Sequence, residues 1–357
     1  MIRVEVVRGI AGVEVLRPEW TELVSDCSDA TPFQTWEWQS LWLRHYGPGK
    51  KALTLCVRDG GDLIGLAPFV VSANLWRVLR WSGGGPSDYL QPISRTGAES
   101  SVNAEILEFL NRSEGLDLID LHQVRENQPL AIAGRPTQRI DQAACLVLDL
   151  PGKFDEYLKS LGKSLRYDVR KLGKELFDSG RAEVLQAREE TVDQLFEIFL
   201  EQHRARWRSR KLPGAFVGRS LRFHREWVRT AFRQGWLRLK VLKVDGGPVG
   251  AIYAMQFNGT VYYYQAGFDP AHKALSPGTL LVAESIRAGI EDGMTQFDFM
   301  RGAEPYKRRW MPQHEYHNFR MIFSGHTRSG DLGIVWNDFA NRLEMKLRAK
   351  LEGGGAS

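Results

Sequence analysis

Glu304, Tyr306, Lys307, Arg308, Arg309 and Trp310 crowd an acid, a phenol and three cations into seven positions. Side chains of these types can move a proton and hold an anion. Just before them Thr295 to Met300 reads as a strand, in which Asp298 sits between Phe297 and Phe299. Desolvation there would raise a carboxyl pKa toward a useful range. The elements that must position this group begin at Val261 to Phe268, a run of strand formers that breaks at Asp269-Pro270. A helix follows its loop. Ser276 is expected to accept from the first-turn N–H groups, and Pro277 suits the first helical position. Val282, Ile286 and Ile290 recur every four residues as one apolar stripe, and Gly293 stops the helix. Strand, helix and strand make a crossover whose helix N-terminus, with its free donors and partial positive charge, suits a phosphate.

Other stretches could contribute to a site. Trp76 to Trp81 reads as a strand ending in a triple-glycine turn, after which Asp88 and Tyr89 could line a cleft. A basic helix is expected over Tyr157 to Phe177, carrying Lys159, Lys163, Arg166, Arg170, Lys171 and Lys174, either solvated or anion-binding. A second long helix, Thr191 to Arg210, ends in the run from His203 to Lys211, which includes Arg206 and Trp207. Arginine beside an aromatic can hold a nucleic acid, yet no DNA- or RNA-binding motif accompanies it, and a coenzyme or nucleotide phosphate is the more economical partner. Trp38 and Trp42 lie one helical turn apart and read as a core-facing helix. Asp59-Gly60-Gly61-Asp62, Asp245-Gly246 and Asn258-Gly259 mark hairpins, the last two within a three-stranded meander, Trp236 to Phe268.

The 43% hydrophobic and 25% charged shares are those of a globular chain with a proper core. A net charge of +5 and a pI near 9.0 favour anionic ligands. The three cysteines are scattered and His314-Glu315-Tyr316-His317 is not HExxH, so neither a disulfide framework nor a metal is expected. GxSxG is absent, which argues against a covalent-nucleophile hydrolase. No signal peptide or membrane-spanning run is read, so a cytoplasmic location is expected. Length suggests two domains, placed at 1–150 and 151–330 with a hinge at Pro151-Gly152. An amphipathic C-terminal helix at 331–352 would dock on the body or touch a membrane surface, and 353–357 is a disordered tail.

In their order along nearly the whole chain, Pro32-Phe33-Gln34 with Trp38 and Trp42, Asp88-Tyr89, His203 with Arg206-Trp207, Ser276-Pro277-Gly278, Phe297-Asp298-Phe299, and Tyr306-Lys307 with Trp310 resemble a known group. It is the GNAT-fold acyltransferases of the CelD/BcsL type, associated with cellulose and exopolysaccharide synthesis, within the tandem-GNAT FemA/FemB superfamily. The resemblance implies an α/β (α+β) fold of two tandem GNAT-like domains, each a mixed, mostly antiparallel sheet flanked by helices. It implies an N-acyltransferase that takes its acyl group from acyl-CoA (acetyl-CoA), with no metal. The acceptor would be a small-molecule or sugar-linked amine, or a hydroxyl, of an envelope precursor, and the polysaccharide-synthesis machinery a partner. DNA is not expected. Two alternatives stand beside it, a FemA-like transferase using aminoacyl-tRNA and a non-catalytic scaffold.

On that reading the donor would lie against Gln265, Ala266, Lys273, Ser276, Gly278 and Thr279, and the acceptor against Asp88, Tyr89, Arg206, Trp207, Tyr264 and Trp310. The base would be Asp298, Glu304 or His203, the acid Tyr306, and Lys307 an oxyanion or phosphate partner. Backbone N–H groups near Tyr264 to Ala266 could serve the oxyanion. The fold's usual donor loop reads Arg/Gln-x-x-Gly-x-Gly/Ala. Here Lys273 to Gly278 keeps one glycine, and Pro277 removes an N–H.

Overall fold

The computed structural model describes residues 1–335 except 114, 210–213, 326 and 328. Beyond residue 335, the expected amphipathic helix and tail lie outside the described residues, as do Arg210 and Lys211 of the basic run. The chain begins with β1 (Ile2–Arg8), α1 (Gly9–Val15), α2 (Arg17–Ser25) and α3 (Trp36–Tyr46). Next come β2 (Lys51–Asp59), β3 (Asp62–Ala73), β4 (Arg77–Trp81), β5 (Ile93–Ser94), α4 (Glu99–Arg112), β6 (Leu118–Arg125), α5 (Pro129–Ala133) and β7 (Gln138–Asp149). The later part runs α6 (Phe154–Ser160), α7 (Lys163–Gly173), β8 (Ala182–Gln186), α8 (Val192–Arg208), α9 (Gly218–Arg233) and β9 (Leu237–Val244). It closes with β10 (Gly247–Phe257), β11 (Thr260–Phe268), α10 (Pro277–Glu291), β12 (Gln296–Arg301), α11 (Pro305–Arg308) and β13 (His314–Ser324).

These elements form two compact units that interleave along the chain. One comprises Met1–Cys27, Gly47–Gln142 and the chain from Asn318 onward; the other comprises Ser28–Tyr46 and Ala143–His317. The units therefore differ from the contiguous division at residue 150: α3 belongs with the later half, and β13 returns the chain to the first unit. Among the described residues no helix is long and apolar enough to cross a membrane.

In the first unit β1, β2, β3 and β4 are antiparallel neighbours, β4 pairs β6 in parallel, and β6 pairs β13 antiparallel. The Gly60-Gly61 hairpin forms as its sequence dictates, with positive φ at both residues and Asp59 opposite Asp62. Val102, Ile106 and Leu110 of α4 pack on Leu55, Phe69, Leu79 and Leu121 of the strands.

In the second unit the strand order is β7-β12-β11-β10-β9-β8, parallel only between β11 and β12. Asp245-Gly246 and Asn258-Gly259 both take positive φ and join adjacent strands, as their turn chemistry requires. On one face α6, α7 and α10 bury Leu158, Leu165, Val169, Leu281 and Ile286 with Phe297 and Phe299 of β12. Aromatic rings fill the space under α3, α8 and α9, where Trp38 meets Phe223 and Trp227 at 4.8 Å each. Trp38 and Trp42 are core residues, as their spacing predicts.

The basic helix expected over 157–177 is broken into α6 and α7, followed by a π-helical turn, Lys174–Asp178. Leu161 turns into the core in an extended conformation, and Gly162, a weak helix former, starts α7. Ser276 corrects another expectation. It lies in the left-handed region (φ 48°, ψ 47°) and its side chain does not cap α10. A capping side chain needs extended backbone at that position, and here the Ser276 carbonyl takes the N–H groups of Thr279 and Leu280 instead, at 2.9 and 3.1 Å.

Candidate active site

The parallel ladder between β11 and β12 is three pairs long: Thr260 with Gln296, Val261 with Phe297, and Tyr262 with Asp298. Immediately past it each strand carries one residue too many. Tyr263 and Tyr264 together face Ala254 of β10, and the register of β12 against β7 shifts between Asp298 and Arg301. Such bulges bend and twist a strand, so two side by side separate the pair. Asp298 holds the second bulge: its carboxylate accepts the N–H of Met300 at 2.7 Å, where Met300 has φ 59°. The bulge in β11 also resets its alternation. Val261 and Tyr263 face the α10 side, and Ala266, three residues on, joins them in the same core.

A pocket of about 300 Å³ lies against β11 past the end of this ladder. Its walls come from Tyr263, Ala266 and Phe268 of β11, Pro277 to Thr279 and Val282 of α10, and Leu165 of α7. Tyr306, Arg309 and Trp310, with Arg206, Lys273 and Ser276, complete the lining. α10 reaches the sheet because Gly250 has no side chain; a Cβ there would meet Pro277 at 3.1 Å and Leu281 at 3.2 Å. Gly267 performs the same service for α8, since its Cβ would come within 2.2 Å of the His203 nitrogen. The first turn of α10 contains no acid, and among the described residues the Gly278 N–H has no acceptor. That open donor, at the positive end of a 15-residue helix and beside the exposed Lys273, fits one phosphate group.

Tyr306 shares a hydrogen bond with Tyr263, and burial pushes both phenols above their ordinary range. Arg206 opposes the rise at each. It donates to the Ala266 carbonyl at 3.0 Å and lies 5.4 Å from the Phe268 ring centre. Tyr306 is therefore a protonated phenol on the pocket wall. No Asp, Glu or His is among the described residues that line the pocket. Glu304 starts α11 just outside, and its charge raises the pKa of both phenols.

The structure thus brings together Ala266, Lys273, Ser276, Gly278, Thr279, Arg206, Tyr306 and Trp310 of the residues expected from sequence. Others lie elsewhere. Asp298 is buried and holds its own strand's bulge. All three donors of the buried Lys307 are engaged, by the Arg301 and Gly302 carbonyls at 2.7 and 2.9 Å and by Glu304 at 2.9 Å, so it clamps the turn rather than meeting a ligand. Tyr264 points to the aromatic side, 3.3 Å from His224 Nε2, and Gln265 pairs with Tyr253 along the strand. His203 is buried against Phe199, Trp207 and Phe216, and its pKa is lowered to about 4 by burial and by Arg206 and Arg204. Trp207 stacks near His203 and does not line the pocket. Asp88 and Tyr89 belong to the first unit, where the Asp88 carbonyl accepts from Asn318 at 2.7 Å and Arg125 covers the Tyr89 ring at 3.9 Å.

Sequence reasoning missed Tyr263, Phe268 and Leu165 as pocket residues, and named Arg309 only within the cation cluster after the second strand. Tyr262, Tyr263 and Tyr264 are identical in kind, and no residue type announces a bulge that decides which of them faces the pocket.

Residues 163–308 match the family model of the acetyltransferase (GNAT) domain. No curated protein sequence matches the chain. Among solved structures it is similar to FemX, with a TM-score of 0.62 at 11% identity, covering 84% of this chain and 95% of that one. A C-terminal domain of a putative lysylphosphatidylglycerol synthetase from Agrobacterium fabrum aligns with a TM-score of 0.55 at 10% identity, over 90% of this chain and 96% of that one. A tandem GNAT protein from the clavulanic acid biosynthesis pathway aligns at 0.50 and 14% identity, over 91% and 99%. These likenesses show a mixed α/β fold shared with FemX and the tandem GNAT protein, and residues 163–308 carry a GNAT acyltransferase domain, for which an acyl-CoA donor is the general rule.

Proposed function

We propose that the second unit transfers an acyl group from an acyl-CoA thioester, acetyl-CoA in the simplest case, to an amine of an amino sugar or another cell-envelope or exopolysaccharide precursor. The observation that carries this reading is the pocket lined by β11 beyond Tyr262, where its pairing with β12 ends, and by the open first turn of α10. The Gly278 N–H and Lys273 would hold the donor's phosphate, and the apolar wall of Phe268, Val282 and Leu165 its arm. Ala266 turns its carbonyl to Arg206; in a strand its N–H shares that edge and would donate to the oxyanion.

Attack by the amine nitrogen forms the N–C bond while the C–S bond breaks. The proton lost from nitrogen goes to Glu304, the carboxylate whose charge reaches both pocket phenols, and Tyr306 gives its own proton to the departing sulfur. Resemblance to proteins of exopolysaccharide synthesis supports the choice of acceptor. Radiolabelled acetyl-CoA, incubated with a panel of amino sugars, tests the proposal: transfer to at least one is expected. Absence of both transfer and acetyl-CoA binding would overturn it.

A further inference from the structure

Beside the pocket, α7 carries a concentrated positive charge. Leu165 and Val169 are buried, which leaves positions 163, 166, 167, 170, 171 and 174 on the outer side. Lys163, Arg170 and Lys174 have no side-chain partner among the described residues. Arg166 spends one nitrogen on the Lys159 carbonyl, and Lys171 lies 5.2 Å from the Tyr167 ring centre. Glu175 offsets part of the charge at Lys171. Asp168, the acid within α7, is already paired with Arg309 at 3.2 Å. That pair ties the helix to the pocket rim, and Leu165 forms part of the pocket wall. A partner lying on this face is therefore within reach of the site.

The start of α10, also on the pocket wall, narrows the choice of partner. Pro277 has no N–H, and those of Thr279 and Leu280 are taken by Ser276, so the Gly278 N–H alone remains open among the described first-turn groups. One open donor suits a single phosphodiester better than a pyrophosphate. The outer face of α7 has one exposed aromatic, Tyr167, and no aliphatic side chain to insert into a bilayer, too little apolar surface for a lipid-docking helix.

We propose that α7 docks an acidic carrier protein, which delivers the acyl group on a phosphopantetheine arm whose one phosphate meets the start of α10. The inference rests on the acyltransferase reading above and specifies its donor. Charge complementarity carries the docking; the arm and thioester are those already assigned to the pocket.

Calorimetric titration of the wild type and of the triple variant Lys163→Glu, Arg170→Glu, Lys174→Glu tests it. The probes are acetylated acyl carrier protein of fatty-acid synthesis and acetyl-CoA, each at low and high salt. Carrier binding should weaken by about tenfold or more in the variant and on adding salt, with acetyl-CoA affinity held within about twofold. Carrier binding indifferent to the substitutions, or acetyl-CoA binding without carrier binding, overturns the docking proposal and leaves the transferase reading standing. If neither donor binds, both fall. Charge-sensitive binding of tRNA or phosphatidylglycerol vesicles in place of the carrier would assign α7 to another partner and likewise overturn the proposal.

Discussion

The crossover from β4 through α4 to β6 in the first unit and the one from β11 through α10 to β12 in the second are built to one plan. Each has three parallel pairs, and each ladder ends on a buried aspartate, Asp120 opposite Arg80 and Asp298 opposite Tyr262. Past the aspartate each second strand slips register and contains a residue of positive φ, Gln123 at 57° and Met300 at 59°. The charges differ. Asp120 is surrounded by Arg80 at 3.0 Å, Arg320 at 2.7 Å and His122 at 3.1 Å. At the start of α4 the Glu99 carboxylate already takes the Gly97 N–H at 3.0 Å. α10 has no acid in its first turn and leaves the Gly278 N–H open. Both aspartates are satisfied within their own units, but a side chain occupies the start of α4, whereas the Gly278 N–H at the start of α10 stays open. Repeating a fold does not repeat its site.

The largest effect that separates the two is expected at Tyr306. Tyr306→Phe should lower kcat by about 100-fold, with the donor's binding nearly unchanged, as loss of a general acid does. Glu99→Gln, at the start of the matching helix, should leave kcat unchanged. Steady-state kinetics on both variants checks the assignment, and equal loss in both would erase the distinction.

Stability should separate the two aspartates. Asp120→Ala strands Arg320 and Arg80 and should cost about 3 kcal/mol. Asp298→Ala removes an acceptor from one buried N–H and should cost about 1–2 kcal/mol, with an added loss of kcat because the β11–β12 opening depends on that bulge. Denaturant midpoints and activity per folded molecule report the two effects separately.

A smaller difference should appear with pH. Burial lowers the His224 pKa to about 3, and His203, also buried, is lowered to about 4. Both are neutral in the fold, so their contribution is complete above about pH 6.5, the unfolded value, and declines as pH falls toward the folded values. Burial pushes the Asp120 carboxyl up, but hydrogen bonds from His122 and Arg320 outweigh it and hold it well below the usual range. Its contribution is present above the unfolded pKa of about 4 and is lost only below that. Acid should therefore weaken the second unit before the first. A denaturation series from pH 7 to 3, repeated with His224→Phe, should show the early loss reduced in the variant.

Much of the frame was legible because short-range chemistry dictates it. Asp245-Gly246 and Asn258-Gly259 need positive φ and take it, and Gly293, at φ 72°, follows the end of α10. The strand–helix–strand order of the site and the acid, phenol and cations after it were readable too. What escaped were features that depend on one residue's offset. An extra residue in β11 chose Tyr263 over Tyr264 and moved Gln265 away from the pocket. Lys307 looked like a free cation until the two carbonyls and the carboxylate around it were in place. Ser276 has the right side chain for a cap but a left-handed backbone that prevents it. Asp298, between two phenylalanines, was read by its desolvation, while its carboxylate satisfies a backbone group two residues on.

Placing in α10 the carboxylate that α4 already has gives the most direct test. Thr279→Glu puts an acid in the first turn, where it favours the helix and competes with a bound phosphate. Calorimetry should show acetyl-CoA binding to the wild type, binding at least about tenfold weaker in Thr279→Glu, and no change in Glu99→Gln. Equal affinity in all three proteins would contradict the claim that the pocket lined by β11 and the start of α10 is the donor site.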